Sequence, residues 1–304
     1  MKTIHGDVQP PRKRFGTTVL ATAVVMSLAG ISPAYAIDVD AGDYTALPEG
    51  TNLGLLYYQN AERNKLYADG DKQPVDATLD SQVGILRYVH FTKLGGYTID
   101  PQFLLPFGEL KAGGDVSGLG ETSGVGDLIL AATVWLVNEP EQGTYFGITP
   151  FLYLPTGSYD NNDALNLGEN RWKFALQAGY ITSLTDTLKL DLIGDVTVFG
   201  DNTDFGAAGQ TLEQDPLYQF QAHLRYQVSP VFDLRLGVSH TVGGETSVAG
   251  TNQNDSTRTT KWSLGAGYFV TPTVQLLATY GEDASVRNGF KENSRVNLRL
   301  LKLF

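Results

Sequence analysis

The chain has no cysteine, only two methionines and, beyond residue 36, no run of 18 apolar residues. Without cysteine there are no disulfides, so an exported form must be held by its own packing and hydrogen bonding. Without such a run, the chain past residue 36 offers no membrane-spanning helix. Positive charge is also short: 22 Lys and Arg face 33 Asp and Glu, for a net charge of −11. That balance argues against nucleic acid as a partner. What the chain does have is 34 Gly and 15 Tyr, a mixture that suits β-structure with many turns.

The N-terminus carries an export pattern. Arg12, Lys13 and Arg14 precede the uncharged residues 16–30, and Ala34-Tyr35-Ala36 places small residues at a cleavage site. Residues 1–36 are therefore expected to be a signal peptide cut after Ala36.

From there on, apolar and polar residues alternate with period two. Over 217–228, Tyr218, Phe220, Ala222, Leu224, Tyr226 and Val228 interleave with Gln219, Gln221, His223, Arg225 and Gln227. Twelve such segments are expected, near 51–60, 79–93, 96–109, 124–138, 143–156, 170–184, 187–200, 216–228, 231–243, 258–271, 273–283 and 290–304. Five short connections alternate with six long polar ones, at 61–78, 110–123, 157–169, 201–215, 244–257 and 284–289. Residues 37–304 thus read as one all-β domain, an antiparallel transmembrane β-barrel of about 12 strands in the outer membrane, its short turns periplasmic.

A soluble β-sandwich also alternates. Two features separate the cases. Trp172 and Tyr180, and again Tyr218 and Tyr226, stand eight residues apart on one face. At ~3.3 Å per residue and ~40° tilt that spacing rises roughly 20 Å, close to the ~25 Å apolar band of a membrane barrel. The opposite face is polar in mid-strand, which a water-filled lumen tolerates and a dry core does not. On the last segment Val296, Leu298, Leu300 and Phe304 share a face. That pattern resembles the signal read by the barrel-assembly machinery, although Lys302 stands where a hydrophobic residue is usual.

The polar face supplies the candidate substrate path: Lys173, Asp191, Asp195, His223, Arg225, Arg235 and Arg299. With Lys261 and Arg295, its bases allow two readings. They are partners of Asp191, Asp195 and Asp233, or they form a mildly basic lumen that favours anions. The long loops are acidic, which suits contact with lipopolysaccharide through divalent cations. Twelve strands at ~4.8 Å spacing and ~40° tilt give a backbone radius of ~12 Å and a bore of at most about 12 Å.

No catalytic constellation stands out. Outer-membrane lipid hydrolases use His-x-Ser, but the triplets here are His90-Phe91-Thr92, His223-Leu224-Arg225 and His240-Thr241-Val242. Ser239 and His240 fall on opposite faces of a strand. Asp160-Asn161-Asn162-Asp163 lacks the spacing of a calcium loop, and the glycines at 118–126 have no βαβ context for a phosphate loop. The chain is expected to be no enzyme and to need no cofactor or metal.

Two stretches carry a resemblance: GDYTALPEGTN at 42–52, and residues 124–180 with their LPTGSY and GENRWKFALQAGY segments. The chain resembles, from about Gly42 to Phe304, the outer-membrane barrel family named for the meta-pathway of phenol degradation. The resemblance implies passage of aromatic or other poorly polar small molecules across the outer membrane, with the solute and membrane lipid as partners. Two other functions remain open: a general or anion-preferring porin, for example for oligosaccharides, and a structural barrel without a pore.

Overall fold

A computed structural model describes residues 38–304; the signal peptide expected at 1–36 lies outside the described residues. Twelve long strands form the wall. They are β1 (Asn52–Ala68), β2 (Ala77–His90), β3 (Tyr97–Gly114), β4 (Leu128–Glu139), β5 (Thr144–Leu154), β6 (Lys173–Ser183), β7 (Leu188–Phe199), β8 (Leu217–Ser229), β9 (Phe232–Gly243), β10 (Thr257–Thr271), β11 (Val274–Val286) and β12 (Gly289–Leu303). Each pairs antiparallel with its neighbours in sequence. The barrel closes by pairing β1 with β12, from Leu53 opposite Leu303 to Tyr67 opposite Gly289. Closure removes the open edges that a bilayer would not tolerate.

The outward face is apolar around the whole circumference. Leu56, Leu86, Leu130, Leu152, Phe174, Leu192, Phe220, Leu236, Leu264, Leu276 and Leu298 are all solvent-accessible in the isolated chain. A water-soluble surface does not carry so continuous an apolar band; lipid covers it. The intervening residues point inward. They include the buried Gln102, Thr149, Gln177, Asp191, Gln219, Arg235, Glu292, Arg295 and Arg299.

The strands run further than polarity alone predicts. β1 continues to Ala68, β3 to Gly114 and β11 to Val286, leaving only Arg287-Asn288 between β11 and β12. The loops expected at 61–78, 110–123 and 284–289 are therefore mostly paired strand, not loop. Lipid demands an apolar face only across the bilayer, whereas the backbone ladder persists into water. A polar stretch such as Glu62-Arg63-Asn64-Lys65 can stay in the ladder there, although it shifts register twice against β12.

Two irregularities shape the wide end. β3 pairs with β4 only from Ile99 to Leu104, after which the short strand Glu121–Val125 takes over as its partner. Above the barrel, Asn202–Phe205, Gln210–Gln214, Thr246–Val248 and Thr251–Asn252 form a separate four-stranded sheet.

Candidate functional site

Strand number sets an upper limit of about 12 Å on the bore, and chain folded into the barrel reduces it. Residues 38–51 lead into β1 from the short-turn end, but first they fold inside the barrel. Two turn hydrogen bonds, Asp43 N to Asp40 O and Thr45 N to Gly42 O, each 3.0 Å, make the segment compact. At its exit, Gly50 N donates to Phe91 O and Asn52 N to Phe304 O, which anchors it at the rim.

Tyr44 is its apolar anchor. The ring is 5% exposed and joins Val39, Leu55, Val89, Phe91, Trp135, Tyr145, Ile181 and Ile193 in one cluster. It lies against Gly147 and Gly179, where a Cβ would come within 3.1 and 2.2 Å of ring carbons. Its hydroxyl donates to Gln177 Oε1 and bonds Thr149 Oγ1, both at 3.0 Å. Trp135 Nε1 donates to the Tyr44 carbonyl at 2.9 Å.

Three acids hold the rest of the segment. Asp38 accepts from Gln219 Nε2 and Arg295 Nη1 and lies 3.7 Å from Lys261 Nζ. Asp40 pairs with Arg299, and Asp43 with both Arg299 and Arg87. Backbone groups join in: Val39 N donates to Gln221 Oε1, Gly42 N to Asp191 Oδ2, and Arg235 Nη1 donates to Ala41 O. Burial raises the Asp38 and Asp43 carboxyls. The bases outweigh it and hold both groups below the usual aspartate value: Lys261 and Arg295 at Asp38, Arg87 and Arg299 at Asp43.

The seven residues singled out from the sequence divide accordingly. Asp191, Arg235 and Arg299 bind the inner segment directly. Arg225 pairs with Asp191, and its guanidinium packs against Gly42. Arg225 and Arg235 stand opposite each other in the β8–β9 register. Lys173 instead sits in a buried cluster at the long-loop end. There Glu169 binds both Lys173 and Arg171, while Asp127 accepts from the amides of Gly157 and Glu169. Burial raises Glu169, but Lys173 and Arg171 prevail and lower it. Asp195 accepts from Gln177, and the buried His223 Nε2 has no hydrogen-bond partner among the described residues.

Arg87, Gln177, Gln219, Gln221, Gln275 and Trp135 also build the site, and so do the acids they face. The signal for Arg87 was available: it is the one charge in the apolar run Gly84–Val89, on the face opposite Leu86 and Tyr88.

The segment leaves two kinds of space. On the β2–β6 side, Leu104, Ile129, Phe151, Tyr153 and Ala175 form an apolar inner wall. Cavities of about 110 and 210 Å³ border it, sharing Ile85 and Leu104. On the opposite side a cavity of about 70 Å³ is bounded by Gln221, His223, Arg235 and Lys261. The β2–β6 side thus carries an apolar patch set among inward polar groups such as Arg87, Gln102 and Lys173, and the N-terminal segment separates it from the cavity at Arg235 and Lys261.

A closed twelve-strand barrel with an apolar outer band and an internally folded leading segment defines an outer-membrane β-barrel protein. Over residues 63–300 the chain matches the family described as "Putative MetA-pathway of phenol degradation", and it belongs to that family. It is similar to the COG4313 outer membrane channel from Pseudomonas putida F1, at 46% identity and TM-score 0.85, over 88% of this chain and 100% of that one. The β domain of the Bordetella autotransporter BrkA shares the fold alone, at 9% identity and TM-score 0.54, over 84% of this chain and 100% of that one. A comparison with curated proteins gave no match.

Proposed function

We propose that the protein is an outer-membrane channel for small apolar or single-ring aromatic molecules. The observation that carries this reading is the apolar inner wall at Leu104, Ile129, Phe151 and Tyr153, with two cavities beside it. Such a wall gives a poorly polar solute a low-affinity path, and the 46%-identical relative from Pseudomonas putida is itself described as an outer membrane channel. Of the seven residues singled out from the sequence, Arg299 and Lys173 line these cavities and set the polar limit of the path, whereas His223 and Arg235 line the cavity across the segment.

Transport is favoured over catalysis by the surroundings of the histidines. Among the described residues His90 bonds Asn52 and His240 bonds Thr260, and neither is hydrogen-bonded to the serine hydroxyl that a nucleophile–base pair requires. The acidic loops meet lipopolysaccharide through divalent cations, and Phe304 on the outer face serves recognition by the barrel-assembly machinery.

A second reading has its own observation. An Arg–Asp network around the inner segment fills the lumen, which is what a non-conducting barrel would need. The basic-lumen porin loses ground, because the bases at 87, 225, 235, 295 and 299 all face acids.

Uptake of radiolabelled toluene at low concentration, with and without the gene, tests the proposal. Faster uptake with the gene is expected. Unchanged uptake together with a silent planar bilayer would favour the structural barrel, and good sugar flux in liposomes would favour the porin.

A further inference from the structure

Asp43 occupies a site that the wall has built independently of it. Arg87 on β2 and Arg299 on β12 flank β1 from either side, in register with Leu55 and Tyr57. Each takes one oxygen of the Asp43 carboxylate: Arg87 Nη1 meets Oδ2 at 2.8 Å and Arg299 Nη1 meets Oδ1 at 2.9 Å. Both guanidinium groups are also fixed by the wall. Arg87 Nε donates to Gln102 Oε1 and Arg299 Nη2 to Gln275 Oε1, each at 2.8 Å. Arg87 Nη1 further donates to the Tyr57 hydroxyl at 3.2 Å. Asp40 also accepts from Arg299 Nη1 at 2.8 Å; removing Asp43 would therefore leave both guanidinium groups in place, with Arg87 unpaired and Arg299 still turned to the vacated carboxylate position.

The cavity of about 110 Å³ opens on this pair; Ile85, Leu104, Phe151 and Leu277 give it an apolar side, and Asp40, Thr149 and Gln177 line it elsewhere. An apolar cavity of ~150 Å³ is enough to hold a benzene ring, and withdrawal of the Asp43 side chain adds to the space here. A carboxylate clamp and a ring-sized apolar space thus adjoin.

We propose that the Arg87–Arg299 pair is a binding site for a single-ring aromatic carboxylate, and that Asp43 is the internal carboxylate this ligand displaces. The proposal rests on the reading of the protein as a route for small aromatic molecules, and it adds which of them moves the occluding segment. The exchange conserves charge: one carboxylate leaves the two guanidinium groups and another arrives, while the ring leaves water for the apolar wall. A neutral ring that pushed Asp43 aside would leave Arg87 without its acid and Arg299 with Asp40 alone, at a desolvation penalty. The site therefore selects acids over phenols or hydrocarbons. Displacing Asp43 also pulls on its neighbour Tyr44, whose carbonyl accepts from Trp135, so binding at the clamp loosens the aromatic anchor.

The test uses the whole protein in detergent with Trp172→Phe and Trp262→Phe, which leave Trp135 as the only tryptophan. Sodium benzoate is expected to shift Trp135 emission saturably, whereas benzyl alcohol and acetate do not. By calorimetry, Asp43→Ala should bind benzoate about tenfold more tightly or better, because the internal competitor is gone. Arg299→Gln should abolish binding, and Arg87→Gln replaces it if heat-modifiable migration shows that barrel unfolded. Equal responses to benzoate and benzyl alcohol, or unchanged benzoate affinity in Asp43→Ala, would overturn the proposal. Absent benzoate binding with toluene uptake intact sinks the site and spares the channel. Benzoate binding in a barrel that moves no solute does the reverse.

Discussion

Tyr44 can occupy the lumen because residues 147 and 179 are glycines. A Cβ at 179 would stand 2.2 Å from the Tyr44 ring, so any larger residue there must expel it. Burial of such a ring is worth roughly 2–3 kcal/mol, and each ~1.4 kcal/mol is tenfold in the ratio of docked to undocked segment. Gly179→Val should therefore raise single-channel conductance in a planar bilayer, and Tyr44→Ala should match it. Gly118→Ala, at a position with open space around it, should leave conductance unchanged. If Gly179→Val conducts like the parent, Tyr44 is not what closes this side. None of this was legible in the sequence. Period-two alternation says that residues 177 and 179 share the inward face, but not that a ring from 135 residues upstream lies on them. The charges were half legible: alternation placed Arg225, Arg235 and Arg299 inside, and two of their wall partners, Asp191 and Asp233, were among the acids considered. Asp38, Asp40 and Asp43 were not, because nothing in their spacing says that they fold back into the barrel.

At the scale of strands the sequence speaks more clearly, because the bilayer imposes the pattern. Lipid requires an unbroken apolar face on every strand, so facing could be read for β6 to β9 almost residue by residue. Where the bilayer ends, the requirement ends, and so does the readable signal. That is why the paired extensions of β1, β3 and β11 look like loops. The facing makes a direct prediction on β9. Leu236 points to lipid and Ser239 to the lumen cavity beside His223. Leu236→Arg should cost ~2–4 kcal/mol in refolding titrations, as for a charge at the lipid face, and Ser239→Asn about 1 kcal/mol or less. The reverse ranking would invert the assignment of faces. The segments that carried the family resemblance also acquire a physical meaning. In LPTGSY and GENRW, Gly157 and Gly168 pack backbone to backbone beside Gly126. Asp127 binds the amides on both sides of that contact. Their residue types are set by this crossing at the interrupted end of the β3–β4 pairing.

For the molecule as a whole, the consequence of this architecture is that one short segment decides whether the lumen is filled, and it is held largely by charge. GDYTALPEGTN carries the family resemblance, but it has no period-two alternation that would assign it a place in the barrel. Inside the barrel Asp38, Asp40 and Asp43 of the leading segment meet Arg87, Lys261, Arg295 and Arg299. Undocked, Asp38 and Asp43 would titrate at about 4, the ordinary aspartate value; docked, both lie lower because the bases outweigh burial. A carboxylate whose docked pKa is depressed favours docking fully above its undocked value, and that contribution is lost as pH falls through the docked value. Conductance should therefore stay low and flat from about pH 7 to about pH 5, and rise only below about pH 4. The double variant Asp38→Asn, Asp43→Asn removes the two aspartates of the segment whose docked values are depressed. It should conduct at pH 7 and lose most of the acid response, while its thermal stability as a barrel changes little, because the strand ladder does not depend on the segment. A conductance step near neutral pH would point to other titrating groups. An acid response retained in the double variant would show that protonation acts on the wall, and that these two aspartates do not hold the segment in place.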